Sequence, residues 1–273
     1  MTPPRLLDVV RRAHPDLDPG DVAFRSGQSH DVLITPDRVF RFARTAEAAA
    51  GLPRRAALLA ALDRLDLGVA VPAPVAPAGD GFLVLRRLPG APLDRRAATA
   101  AAGRVAAEYA RLLRALAAHR PADLPTADPH RWARFARDVR AELSGLMHDA
   151  GRERAERELS AVLDLDHVAT GLVHGDLGGE NALWRLDGAG PRLTGVVDWD
   201  DVAVGDPAED LAAIGASYGP DLLDRVIALL GADRAPTWRR VRAYQGTFAL
   251  QQALAGARDG DDGDLADGLA GYR

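Results

Sequence analysis

The chain has no cysteine, so disulfides, thiolate nucleophiles and cysteine-held metals are excluded. It has no lysine either: all 34 basic side chains are arginine. A Walker-type phosphate loop needs its lysine, so that route to nucleotide binding is closed. Any cation that meets a phosphate here must be an arginine, a helix N-terminus or a metal. No apolar run approaches the ~20 residues that span a bilayer, and no membrane partner is expected. The opening Met-Thr-Pro-Pro-Arg leads to Asp8, Arg11 and Arg12 without a signal-peptide pattern, which points to a cytoplasmic protein.

What is present is ordinary for a globular enzyme: 47% hydrophobic and 27% charged residues over 273 positions, enough for a substantial core. The net charge of −5 is uneven. Residues 1–90 carry twelve arginines against ten acids, whereas 198–273 carry seven against fourteen. An acidic C-terminal half argues against nucleic acid, whose binding rests on phosphate neutralisation, and favours a cationic small-molecule partner.

Periodicity divides the chain. Residues 4–13 have helical spacing; short strands are expected at 22–25, 31–35 and 38–43, the last two joined by Pro36-Asp37. A long helix is expected over 47–67, with Pro53 starting or kinking its main part. A proline-punctuated stretch covers 69–77, and a strand covers 81–86. Leu88-Pro-Gly-Ala-Pro92 is irregular and reads as a connector between a small lobe (1–87) and a larger one (93–273). The larger part is expected to be helical over 97–119, 131–148 and 152–165. A β island follows at 172–174, 182–185 and 193–197, and helices run from Pro207 onward.

The chemistry concentrates in that island. His174-Gly175-Asp176 follows an apolar strand, Asn181 stands five residues beyond Asp176, and Asp198 ends the apolar run Leu-Thr-Gly-Val-Val. This is the residue set of a kinase-type site: one aspartate orients and deprotonates an acceptor hydroxyl, while the asparagine and second aspartate hold magnesium. His174 reads as structural, Asp206 before Pro207 as a helix cap, and Asp210 likewise as support. Gly215-Ala-Ser217-Tyr-Gly219 matches a nucleophile elbow, but helix precedes it and no histidine follows it, so Ser217 is dismissed.

At these residues the chain resembles the aminoglycoside phosphotransferase family, through His174-Gly-Asp176, Asn181, Val-Asp198-Trp199 and Gly205-Asp206-Pro207 with Asp210-Leu-Ala. The resemblance implies an α+β, bilobal protein-kinase-like fold, with a small N-terminal β-sheet lobe bearing one long helix and a mostly helical C-terminal lobe. It implies Asp176 as catalytic base, Asn181 and Asp198 as Mg2+ ligands, and ATP, with GTP as the alternative, as donor. Gly-Asp-Leu-Gly-Gly-Glu180-Asn181-Ala-Leu-Trp184, Ala-Ser-Tyr218-Gly, Gly246-Thr-Phe-Ala-Leu-Gln-Gln252 and Leu-Ala-Asp267-Gly-Leu-Ala-Gly-Tyr272-Arg narrow it further. They look like the branch acting on cyclic-peptide tuberactinomycin antibiotics such as viomycin and capreomycin, whose acceptor is a serine hydroxyl.

The small lobe departs from the family. Arg41 stands where such kinases carry a third-strand lysine, and the helix offers Arg55 where the partner glutamate would sit, leaving Glu47 as the alternative carboxylate. Ser26, Gly27 and Ser29 are candidates to cover the phosphates with backbone amides, and adenine is expected against the backbone near Arg87 and Leu88. Glu180, Asp200, Asp201 and Tyr218 are candidates to meet a polycationic acceptor, and Trp199 is expected in the core. Two alternatives stay open: a kinase for an aminoglycoside, macrolide or other hydroxylated metabolite, and a nucleotide-binding protein without catalysis.

Overall fold

The computed structural model describes residues 3–13, 22–26, 30–79, 81–188 and 190–273. Its elements begin with α1 (Pro3–Ala13), β1 (Ala23–Ser26), β2 (His30–Ile34), β3 (Arg38–Ala43), α2 (Ala46–Asp63) and β4 (Phe82–Arg86). Four helices follow: α3 (Arg95–Ala100), α4 (Ala102–Ala117), α5 (Arg131–Glu142) and α6 (Asp149–Leu163). Then come β5 (Gly171–Val173), β6 (Ala182–Asp187), β7 (Gly190–Val196) and β8 (Ala203–Gly205). The chain ends with α7 (Ala208–Tyr218), α8 (Pro220–Leu230), α9 (Arg234–Asp259) and α10 (Asp262–Gly268). Among the described residues no helix is long and apolar enough to cross a membrane.

Two compact units result: Met1–Leu93 with Glu180–Asp200, and Asp94–Gly179 with Asp201–Arg273. In the first, β1 to β4 form an antiparallel sheet in sequence order. Strand alternation sorts its faces. Phe40 and Phe42 of β3 share one face with Leu33, Phe82 and Val84, and Leu6 and Val10, one helical turn apart on α1, pack in the same cluster. Arg41, between the two phenylalanines, must point to the other face, in register with Val32 and Leu83. Helix α2 starts at Thr45, whose hydroxyl accepts the Ala48 amide at 3.1 Å. Pro53 lies inside this helix and does not start it.

Residues 180–200 group with this first unit, whereas a division at 88–92 was expected from the sequence. Backbone hydrogen bonds account for the grouping. Ala91 and Trp184 exchange both of theirs (3.0 and 2.8 Å). The extended stretch at Ala70 donates to Thr194 and accepts from Val196, so it pairs with β7.

The second unit is mainly helical. One core joins Val139 of α5 and Leu159 of α6 to Leu250 and Leu254 of α9, with Leu269 and Tyr272 of the C-terminus. The helix expected over 97–119 breaks at Ala101, whose backbone (φ −119°, ψ 30°) separates α3 from α4. The one expected over 131–148 stops at Glu142, and a short 3-10 turn, Ser144–Leu146, follows. Strand β8, three residues long, had no counterpart in the sequence reading; it pairs antiparallel with β5.

Candidate active site

Strand β5 is buried at all three residues and leads into a loop that carries Asp176 into solvent. The loop is held from behind. Asp210, fully buried in the first turn of α7, accepts the amides of His174 (2.9 Å, Oδ2) and Gly175 (2.9 Å, Oδ1). The buried His174 ring accepts the Asp176 amide through Nδ1 at 3.2 Å. Gly175 has φ +90°, and a Cβ there would lie 2.7 Å from the Asp201 carbonyl oxygen, so only glycine fits this turn. Burial pushes the Asp210 carboxyl up to about 7, against the pull of the two amides that favour its charged form. Asp206 fastens the same region to α9: its carboxylate accepts the Ala208 amide (3.0 Å), Arg240 Nε (2.6 Å) and the Tyr244 hydroxyl (2.6 Å).

Asp176 opens onto a hollow of about 490 Å³ lined also by Asp201, Glu209, Arg131, Trp132 and Tyr244. Trp132 lies 5.5 Å from Tyr244 between ring centroids. The Arg131 guanidinium sits 4.8 Å above the Trp132 ring and also pairs with Glu209. Burial raises the Glu209 carboxyl above its usual range, and Arg131 opposes that shift. Carboxylates and aromatic faces beside an exposed aspartate suit a hydroxylated acceptor that carries positive charge.

The first unit brings together the other expected residues. In the β6–β7 hairpin Ala182 is in register with Val196, and the Asn181 carbonyl accepts the Val197 amide at 2.9 Å. The pairing sets buried Asn181 beside the strand end that carries Asp198. Asp198 has φ +62°, the one non-glycine residue in the left-handed region among the described residues, and its side chain is 53% exposed. A non-glycine residue held there stores backbone strain of the kind found at functional positions. No group of three or more His, Asp or Glu side chains among the described residues forms a metal cage. An amide oxygen and a half-exposed carboxylate nevertheless fit magnesium, which takes few protein oxygens and keeps waters and substrate phosphates.

Arg41 forks onto Asp200, Nη1 to Oδ1 at 3.0 Å and Nη2 to Oδ2 at 2.9 Å, and stands 3.7 Å from the Asp198 carboxylate. Arg55 reaches the same Asp200 Oδ1 at 2.9 Å and donates to the Trp199 carbonyl at 3.0 Å. Burial alone would raise Asp200, but the Arg41 hydrogen bonds and the two positive charges hold its carboxyl below the usual range. His30, whose Nδ1 is 3.4 Å from Arg41, is lowered by burial and then by the Arg41 charge.

The remaining expected residues fall as follows. Gly27 and Ser29 lie outside the described residues, as does the side chain of Ser26. The Arg87 amide donates to the Asp37 carbonyl and its guanidinium to the Thr35 carbonyl, and Leu88 is buried. Glu180 is exposed. Tyr218, expected at the acceptor, is instead 5% exposed and packs its ring 5.9 Å from Tyr109. Asp200, expected to meet substrate, is engaged by two guanidiniums. Trp199 is buried, its indole donating to the Val196 carbonyl at 2.9 Å. Ser217 is no nucleophile: it accepts the Gly179 amide and donates to the Ala213 carbonyl one turn back. Sequence reasoning missed Trp132, Arg131, Glu209 and Tyr244 as pocket walls. Only Glu209, adjacent to Asp210, carried any local signal.

These observations define a kinase-type phosphotransferase, and the comparisons agree. Residues 22–244 match the model of the phosphotransferase enzyme family, and the chain belongs to it. Viomycin phosphotransferase of Streptomyces vinaceus is 51% identical over 279 residues, covering 97% of both chains. The fold matches the GDP complex of wild-type aminoglycoside 2'-phosphotransferase-IIIa with a TM-score of 0.82 at 21% identity, over 99% of this chain and 97% of that one. It also matches the streptomycin-ATP-APH(2")-IIa ternary complex, TM-score 0.74 at 18% identity, over 99% and 96%.

Proposed function

We propose that the protein transfers the γ-phosphoryl group of a nucleoside triphosphate, ATP in the first instance, to a hydroxyl of a tuberactinomycin cyclic peptide such as viomycin or capreomycin. The observation that carries this reading is the acidic and aromatic hollow around exposed Asp176, in a chain half identical to viomycin phosphotransferase. Asp176 accepts the proton of the acceptor hydroxyl as its oxygen forms a bond to the γ-phosphorus and the bond to the β–γ bridging oxygen breaks, releasing the nucleoside diphosphate. Asn181 and Asp198 are the residues to hold Mg2+, which when bound neutralises charge on the phosphates. Arg41 supplies the fixed positive charge that a lysine gives elsewhere. Asp201 and Glu209 meet acceptor amines, and Trp132 offers a face to a cation or a peptide plane. Little covalent work falls to the protein, so positioning of Asp176 and the phosphates supplies most of the acceleration.

The test is a panel assay: purified protein, labelled ATP with magnesium, and viomycin, capreomycin, an aminoglycoside and a macrolide as acceptors. Labelled tuberactinomycin is the expected product, with one phosphoryl group per molecule. Label on the aminoglycoside or macrolide and none on the cyclic peptides would overturn the acceptor assignment. No label on any acceptor would favour the non-catalytic alternative.

A further inference from the structure

Kinases of this kind steady their phosphate-binding lysine with a glutamate from the small-lobe helix. Here the polarity of that helix is reversed. The β3 cation is Arg41, and the residue that α2 sends toward it is Arg55, another cation. Among the described residues no ion pair links Glu47 to Arg41, and Glu47 is exposed near the start of α2. The carboxylate between the two arginines comes from a distant part of the sequence: Asp200 accepts the Arg41 fork at 3.0 and 2.9 Å and Arg55 Nη1 at 2.9 Å.

We infer that Asp200 is the positioning residue that aims Arg41 at the donor phosphates, doing from the end of the β6–β7 hairpin what a helix glutamate does elsewhere. The inference rests on the phosphotransferase reading above. Two features support it. A two-point fork on a short aspartate fixes the guanidinium plane as well as its position. Asp200 is itself fixed, because buried Trp199 precedes it and Arg55 also binds the Trp199 carbonyl at 3.0 Å. Two guanidiniums share the Asp200 carboxylate, so the pair is not neutralised by Asp200 alone, and Asp198, 3.7 Å from Arg41, faces the same cation. The arrangement also explains how a lysine-free chain tolerates Arg55 at the helix position: with Asp200 supplying the anion, Arg55 becomes its anchor.

The test uses the full-length protein with ATP, magnesium and capreomycin, reading KM for each substrate, kcat and ADP binding. D200N removes the charge that holds Arg41, and KM for ATP and Kd for ADP should rise about tenfold, the effect of losing one charge-assisted contact, with KM for capreomycin unchanged. R55E/D200N returns a carboxylate to Arg41 from the helix side and should recover most of that loss. The rescue is a readout that a merely structural aspartate does not produce. Unchanged ATP parameters in D200N overturn the inference, as does an R55E/D200N protein no better than D200N. Should D200N fail to fold, the double variant carries the test alone, and failure of that variant to bind ADP overturns the proposal. A wild-type protein that neither binds ATP nor transfers phosphate would sink the kinase reading itself, which is a different result from wild-type activity insensitive to D200N.

Discussion

Replacing Asp210 with Asn tests how the catalytic loop is held. The carboxylate accepts two backbone amides at 2.9 Å each, from His174 and Gly175, and is fully buried. Asparagine keeps the shape and one acceptor oxygen, but its NH2 group then faces the second amide. One charge-assisted bond, worth about 1.5–3 kcal/mol, is lost, and an amide is left unsatisfied at a further 1–3 kcal/mol or so. The raised carboxyl shows that burial already outweighs both amides, so loss of the charge is largely offset by the desolvation no longer required; the unsatisfied amide remains, and a net loss of about 1–3 kcal/mol follows. At roughly 2–4 °C per kcal/mol for a protein of this size, Tm should fall by about 2–12 °C. The kinetic consequence is larger. Gly175 directly precedes Asp176, and a shift of about 1 Å in a reacting group costs on the order of a hundredfold in rate. Differential scanning calorimetry and initial-rate kinetics at saturating ATP should therefore show a modest drop in Tm and a kcat reduced about a hundredfold, with KM for either substrate within a factor of a few. A D210N enzyme with kcat within twofold of wild type would refute the bracing argument. Lost ATP binding with intact turnover of bound ATP would contradict it equally.

Other consequences follow from the same contacts. The Asp210 carboxyl, raised by burial to about 7 from 3.8, binds its proton more tightly in the folded chain. Its linkage makes the protein more stable as pH falls from about 7 toward 4, by at most about 4 kcal/mol, while protonation weakens the grip on the loop. Chemical denaturation at several pH values should show this slope in wild type and a flatter one in D210N. E209Q removes a buried negative charge beside Asp176 and should raise KM for capreomycin about tenfold, leaving KM for ATP alone; an unchanged acceptor KM would remove Glu209 from the acceptor site. Gly268 on α10 leaves 2.5 Å between a would-be Cβ and the Ala253 amide nitrogen of α9. G268A should cost about 1–3 kcal/mol by overpacking in equilibrium unfolding, and a variant as stable as wild type would show that the two helices separate freely.

Much of the fold and of the candidate site is encoded in local sequence patterns. Strand alternation and helix period made a small α+β lobe and a helical remainder legible, and the kinase-like class was legible only through the family resemblance carried by residues 174–181 and 198–210. The loop motif was legible because residues 174–181 are contiguous. What stayed hidden depends on residues far apart in sequence. Arg41 and Asp200 are 159 positions apart, and nothing local distinguishes Asp200 from Asp201 as the arginine's partner. Arg131 and Trp132 read as helix residues, since their place beside Asp176 is set by the packing of α5 against α9. Tyr218 was misplaced for the same reason: an aromatic near an acidic helix can face a pocket or the core, and packing against Tyr109 decided for the core. Strand β8 is too short for alternation to reveal, and the break at Ala101 falls in an alanine-rich run whose weak signal is Gly103, two residues on, a residue that helices also tolerate.

The measurement closest to the central claim is phosphoryl transfer from ATP to capreomycin by D176N beside wild type, with ADP binding measured on both. Asp176 is exposed, so the substitution should leave Tm and ADP affinity intact. It should lower kcat by about 10²–10⁴, the usual contribution of a general base. A D176N enzyme that phosphorylates capreomycin at the wild-type rate would contradict the account.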